Sequence, residues 1–298
     1  MRRLKKYLPK KFRNTSVEIP VVRLHGTIMT DGNQFSQNLN LASVASLIEK
    51  AFEDKSAPAV AFSINSPGGS PVQSRQIHNR IRQLADEKDK KVFMFVEDVA
   101  ASGGYMIACA GDEIYVDPSS IVGSIGVVSG GFGFPGLLKK IGVERRVYTA
   151  GKNKSTLDPF MPEKKADIDR LKKLQLEIHQ VFIDMVKASR GDRLKETDET
   201  FTGAFWTGYE GKELGLVDDI GDMRSVLKEK FGEKTTLKLI SAKRGLFGGK
   251  SAPGISMLAS SFASGHASGN IGADISQGFA QGIASTVEER ALWAQYGL

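Results

Sequence analysis

The sequence has a single cysteine, Cys109, among 298 residues. That excludes an intrachain disulfide framework. Its neighbours Ile107, Ala108 and Ala110 mark it as a small buried hydrophobe and not a nucleophile. Histidine is almost as scarce: His25, His78, His179 and His266 are the only four. No run of about 18 apolar residues occurs, so no transmembrane helix is expected. The basic start leads into no apolar stretch of the kind a signal peptide needs. Acidic residues are absent from positions 1–13, where Arg2, Arg3, Lys5, Lys6, Lys10, Lys11 and Arg13 carry a charge equal to the whole net +7. This arm fits either a solvated tail or peripheral contact with an anionic membrane surface, at about 1 kcal/mol per basic residue. Nucleic acid is disfavoured as a partner, because only Tyr7 and Phe12 could stack on bases and no basic groove motif follows. The simplest expectation is a cytoplasmic protein, peripheral at the membrane surface at most.

What is present is an ordinary globular composition, 41% hydrophobic and 25% charged, with enough chain for one large α/β domain or two smaller ones. Residues 18–24 read as a strand. Leu41, Val44, Leu47, Ile48 and Ala51 recur at helical spacing. Residues 58–64 form a continuous apolar strand that stops at Asn65-Ser-Pro-Gly-Gly69. A helix with Ile77, Ile81 and Leu84 on one face follows, then a strand over 91–96 and a small-residue helix over 102–110. Strand and helix alternating in this order predict an α/β fold with parallel strands. Further short strands are expected at 113–116, 121–128, 144–149 and 235–240. Helices are expected at 163–190, 209–214 and 222–231, the first with Ile168, Leu171, Leu174, Ile178, Phe182 and Met185 as its apolar stripe. Composition turns to Gly, Ser and Ala near position 243. The expected organisation is therefore an arm over 1–16, a domain over 17–242 and a weakly ordered tail over 243–298. A short helix over 286–296 would offer Val287, Leu292 and Trp293 to a partner.

Two glycine pairs follow buried strands: Ser66-Pro-Gly-Gly-Ser70 and Ala101-Ser-Gly-Gly104. Ligands of parallel α/β sheets sit beyond the carboxyl ends of the strands. Glycine there lets a substrate approach the backbone, and two such turns side by side would aim two N–H donors at one oxygen, as an oxyanion hole requires. Ser102, opening a helix beside the second pair, is then a candidate nucleophile. A serine needs a base, and none of the histidines falls in the segment after it. His78 and His179 lie on amphipathic helices and fit packing or surface roles. A lysine is the alternative, and it must be neutral at working pH, its pKa brought from about 10.4 toward 7–8 by burial or a nearby cation. Spacing alone does not choose one among 41 basic residues.

The stretches Ser63-Ile-Asn-Ser-Pro-Gly-Gly-Ser70, Val99-Ala-Ala-Ser-Gly-Gly-Tyr-Met-Ile-Ala108 and Asp117-Pro-Ser-Ser-Ile-Val-Gly-Ser-Ile-Gly-Val127 resemble, in order, the signal peptide peptidase A family of serine peptidases, SppA and SohB among them. Trp206-Thr-Gly-Tyr-Glu-Gly-Lys-Glu-Leu-Gly-Leu-Val-Asp218 is similar to that family's later motif. The resemblance implies Ser102 as nucleophile and Lys154 as base, with Lys152 its competitor. It implies Ser124 as a serine that positions the lysine, and Gly69 and Gly103 as oxyanion donors with Gly68 close by. It implies a spiral of ββα units shared with the Clp protease and crotonase superfamily, with parallel sheets flanked by helices. It further implies no metal or cofactor, and peptides or unstructured polypeptides, signal-peptide remnants among them, as substrates. Members of the family form homo-oligomers in which neighbours contribute serine and lysine to one site. Many begin with a membrane-spanning helix, where this chain has its basic arm. A crotonase-type acyl-CoA enzyme, a Clp-like peptidase and a non-catalytic scaffold of the same fold are the rival expectations.

Overall fold

The computed structural model describes residues 16–30, 38–241 and 291–296. The arm and nearly all of the tail expected from composition lie outside these residues, as does His266. The element order is β1 (Glu18–His25), α1 (Leu41–Glu53), β2 (Ala59–Ser66), α2 (Pro71–Lys88), β3 (Lys91–Ala101), α3 (Gly103–Ala108), β4 (Glu113–Val116) and β5 (Ile121–Gly123). There follow α4 (Pro135–Lys140), α5 (Lys165–Arg190), β6 (Phe205–Thr207), α6 (Gly208–Glu213), β7 (Asp219–Ile220), α7 (Met223–Phe231) and β8 (Thr236–Leu239). The strands form one sheet in the order β6-β5-β3-β2-β1-β8, with β4 on β3 and β7 on β4. Every pairing is parallel except β5 with β6. The expected α/β architecture, a mostly parallel sheet flanked by helices, is what the chain adopts.

The sheet is covered on both sides, which is why β2 is buried at all eight positions and reads as an unbroken apolar run. Alternate residues separate the two faces. Val22, Leu24, Phe62, Ile64, Val92 and Met94 pack with Ile48 and Phe52 of α1 and Ile77 and Ile81 of α2. Ile19, Val21, Ala61, Phe93 and Phe95 face the other way, against Leu227 of α7. Local chemistry sets the helix starts. Asn40 and Ser43 form a capping box for α1, and Ser70 caps α2 with Pro71 in its first turn. β3 carries the architecture furthest. Its first half pairs with β4 through Phe93–Phe95, and its second half pairs with β5 through Val99–Ala101. At about 3.3 Å per residue an 11-residue strand has room along one edge for two short neighbours.

Three local expectations are corrected. Residues 144–149 form no strand. They are almost wholly exposed, with no neighbouring strand to satisfy their backbone, and a helical turn, α4, precedes them. The strand expected over 121–128 ends at Gly123, because Ser124 turns to φ +53°. The stripe of α5 is buried only toward its C-terminal end, at Phe182 and Val186, while Leu174 is 51% exposed. Cys109 is buried as expected, and burial pushes its thiol up to about 12, so it stays protonated.

One buried ion pair ties the end of α5 to the sheet. The Arg190 guanidinium, its side chain fully buried, donates twice to the Asp218 carboxylate at 2.9 Å and once to the Gly215 carbonyl at 2.8 Å. Asp218 also accepts from the Ile114 N–H and from Arg193. Burial raises the carboxyl's pKa, but the hydrogen bonds and charge of Arg190 outweigh it and hold the group below 3.8. Its stabilisation is therefore complete above the unfolded value and disappears as pH falls through the lower folded one. Asp218→Asn is expected to lower stability by about 3–5 kcal/mol near neutrality, since it strands a buried guanidinium. Urea melts across pH should show the gap from wild type narrowing below 3.8. A gap unchanged down to the lowest pH at which both fold would contradict this account.

Candidate active site

β3 and β5 end in register, Ala101 beside Gly123, so the next residues, Ser102 and Ser124, leave the sheet side by side. Both have left-handed backbone, φ +50° and +53°, which costs a non-glycine residue on the order of 1–3 kcal/mol and is kept where surrounding structure enforces it. The enforcement is visible. Ser102 N–H donates to the Gly123 carbonyl at 2.9 Å, and its own carbonyl accepts from Met106 N–H at 3.0 Å as α3 begins. Ser124 N–H donates to the Ala204 carbonyl at 2.7 Å. The Ser102 hydroxyl makes no capping bond to α3 and stands at the edge of a cavity of about 460 Å³.

The two glycine turns converge on this hydroxyl. Gly68 and Gly69 follow β2 with φ of +106° and +136°, and a Cβ on Gly103 would lie 3.3 Å from the Gly69 nitrogen. The Gly68 N–H is engaged, donating to Ser66 Oγ at 3.3 Å. Among the described residues, neither the Gly69 nor the Gly103 N–H has an acceptor. Gly68 matters for space: a Cβ there would stand 2.8 Å from the Ser102 Cβ and 2.9 Å from the Gly103 nitrogen. Gly68→Ala is therefore expected to displace the Ser102 side chain and the Gly103 N–H together. For a reaction that uses this hydroxyl and this N–H, kcat should fall by about 10²–10³, the typical effect of losing one backbone donor to an oxyanion, while the protein still folds. Steady-state peptide hydrolysis alongside a thermal melt measures this, and an unchanged kcat would count against the close approach.

The cavity is bordered by Pro67, Gly69, Ser102, Gly103 and Ser124, with Val127, Val128, Ile178 and Phe182 as its apolar wall. Of residues 127–137, only Val127 and Val128 take part. No lysine, arginine, histidine or carboxylate borders the cavity among the described residues. Lys154 and Lys152 sit in an exposed turn-rich segment, and neither borders the cavity that holds Ser102. The histidines take other roles. His179 Nε2 donates to the Ile125 carbonyl at 2.9 Å and braces the Ser124 turn from behind, and His78, its pKa lowered by burial, bonds Asn79. His25 meets Trp293 in a tilted ring contact, 6.0 Å between centroids.

Sequence reasoning missed Leu292, Gln295 and Tyr296, which border the cavity. Residues 286–296 were expected to offer side chains to a partner. Val287 lies outside the described residues, while Leu292 and Trp293 are half-buried against this chain's own site. The only local signal was two aromatic residues in a stretch otherwise poor in them.

The model of Peptidase family S49 matches residues 85–236, just over half of the chain, and takes in Ser102, Ser124 and Lys154. The chain belongs to peptidase family S49. Its similarity to family members extends beyond those residues. Protease 4 of Haemophilus influenzae is 31% identical over 225 residues, covering 74% of this chain and 36% of that one. The chloroplastic serine protease SPPA of Arabidopsis thaliana is 31% identical over 213 residues, covering 69% and 31%. A Brucella abortus protein named Na(+)/H(+) antiporter NhaA is 61% identical over 295 residues. That match covers 99% of this S49 chain and 39% of the Brucella protein, so the chain spans about two fifths of that relative's length. Among the described residues no helix is long and apolar enough to cross a membrane.

Proposed function

We propose that this S49 chain is a serine endopeptidase acting on peptides or unstructured polypeptides, signal-peptide remnants among them, through a dyad of Ser102 and Lys154. The observation that carries the reading is the left-handed Ser102 beside the Gly69 and Gly103 N–H groups, which have no acceptor among the described residues, at the edge of a cavity with apolar walls. In this mechanism the lysine amine removes the Ser102 hydroxyl proton while Oγ bonds to the peptide carbonyl carbon. The carbonyl electrons move to oxygen, where the Gly69 and Gly103 N–H groups hold the negative charge. Collapse breaks the C–N bond, and the leaving amine takes the proton back from Lys154. Water, deprotonated by the same lysine, then hydrolyses the ester and restores Ser102. Ser124 accepts from the lysine ammonium and orients it. No step calls for a metal or cofactor.

The lysine comes from a neighbouring copy in this proposal, because none borders the cavity among the described residues. An assembly surface is at hand in the same segment. Val128, Phe132 and Tyr148 are 78%, 81% and 91% exposed, and Leu174 and Leu176 on α5 are uncovered too. Burying a side chain of this kind stabilises by about 1.5–3 kcal/mol, so a few suffice to offset the entropy of assembly. The deciding experiment compares hydrolysis of apolar peptides and an unstructured polypeptide by wild type and Ser102→Ala. Loss of hydrolysis in the variant supports the reading. Equal hydrolysis removes Ser102 from the chemistry.

A further inference from the structure

Backbone bonds hold most of the turn that carries Ser124. Ser124 N–H donates to the Ala204 carbonyl at 2.7 Å, and Gly126 N–H donates to the Ser124 carbonyl at 2.9 Å, which closes a three-residue turn. The Ile125 carbonyl is left facing the side of α5. Ile125 is fully buried, so that carbonyl needs a donor. A helix has none to offer from its middle, because each N–H there is spent on the carbonyl four residues back. Only a side chain can supply it, and His179 does, from Nε2 at 2.9 Å. A carbonyl only accepts, so Nε2 carries the proton. Ile178 and Phe182, one residue before and three after, stand in the apolar wall of the cavity. One side-chain bond thus ties the Ser124 turn to the helix that lines the cleft.

We propose that His179 is a positioning residue for the reaction at Ser102: through the Ile125 carbonyl it fixes the left-handed Ser124, and with it the hydroxyl that orients the lysine. The inference rests on the reading of this cleft as a peptidase site with Ser124 as the lysine's partner. Left-handed backbone, φ +53° here, is unfavourable for a serine, so a turn that loses its brace relaxes toward ordinary values. The Ser124 hydroxyl moves with its backbone and leaves its place beside Ser102. A misplacement on the order of 1 Å can cost about 10² in rate. The apolar wall and the glycine N–H groups stay where they are, so the loss falls on kcat and not on KM.

The test compares His179→Leu with His179→Gln in the full chain. Leucine keeps the helix but has no donor, while glutamine brings an amide N–H to about the place of Nε2. His179→Leu should lose about 10–10² in kcat for peptide hydrolysis with KM within about twofold, and His179→Gln should recover most of it. Ser124→Ala then separates positioning from general weakening. If His179 acts through Ser124, adding His179→Leu to Ser124→Ala should lower kcat by less than about threefold, whereas independent effects multiply. Amide hydrogen exchange across residues 121–128 reads the brace without catalysis. It should speed up in His179→Leu and return to the wild-type rate in His179→Gln. Unchanged exchange, unchanged kcat, no recovery by glutamine, or full multiplication with Ser124→Ala overturns the inference. Should His179→Leu fail to fold, His179→Asn, whose amide is too short to reach Ile125, must show the same loss against His179→Gln. An inactive wild type with faster exchange in His179→Leu would refute the peptidase reading alone. An active wild type with unchanged exchange would refute the positioning role alone.

Discussion

Ser102→Ala is expected to lower kcat for peptide hydrolysis by on the order of 10⁴–10⁶, the range found when a serine nucleophile is removed from an otherwise intact site. The fold should not change. Alanine has the same left-handed cost at φ +50° as serine, and the bonds that impose the turn run through backbone, from Ser102 N–H to the Gly123 carbonyl and from Met106 N–H to the Ser102 carbonyl. The hydroxyl makes no capping bond to α3 that its loss would break. A thermal midpoint equal to wild type beside the lost turnover is thus the expected pair of results. The same variant separates this reading from the acyl-CoA alternative, which uses paired glycine N–H groups without a nucleophile. Thioester binding together with indifference to Ser102→Ala would favour that alternative.

The elements that position Ser102 were legible because their signals are local. β2 is an apolar run stopped by Asn65-Ser-Pro-Gly-Gly69, and α2 starts at a serine cap followed by proline, so both could be placed from the order of residues. The place of Ser102 was legible for the same reason: it sits between a buried strand and a glycine pair. What escaped depends on distant parts of the chain. Nothing around Val122 announces that Trp206 pairs beside it in the one antiparallel contact of the sheet. Residues 144–149 have strand-like composition, yet no neighbour offers them a ladder, so they stay exposed coil. Tyr296 reaches Ser124 across 172 positions of sequence, a contact no periodicity encodes. The choice of Lys154 over Lys152 came from resemblance to S49 relatives, and within one chain neither lysine borders the cavity.

Lys154→Ala should therefore abolish activity, by on the order of 10⁴ or more, and yet be rescued by a protein that is itself inactive. If Ser102 of one copy works with Lys154 of its neighbour, an interface of Lys154→Ala and Ser102→Ala subunits in the right order restores one intact pair. In a ring with a repeated head-to-tail interface, random mixing at equal amounts places an intact serine beside an intact lysine at about one site in four. Subunits dissociated, mixed and reassembled should recover about a quarter of wild-type turnover, while each variant reassembled alone recovers none. Lys152→Ala should remain near wild type throughout, which separates the two lysines by function where spacing could not. If the mixture stays inactive although it reassembles to the wild-type size, the dyad is not shared between copies. Lys154 would then have to reach Ser102 within its own chain, through a movement of the exposed segment that holds it. If Lys154→Ala keeps its activity, lysine 154 is not the base, and the search returns to the remaining residues that a neighbouring copy could bring to the open side of the cleft.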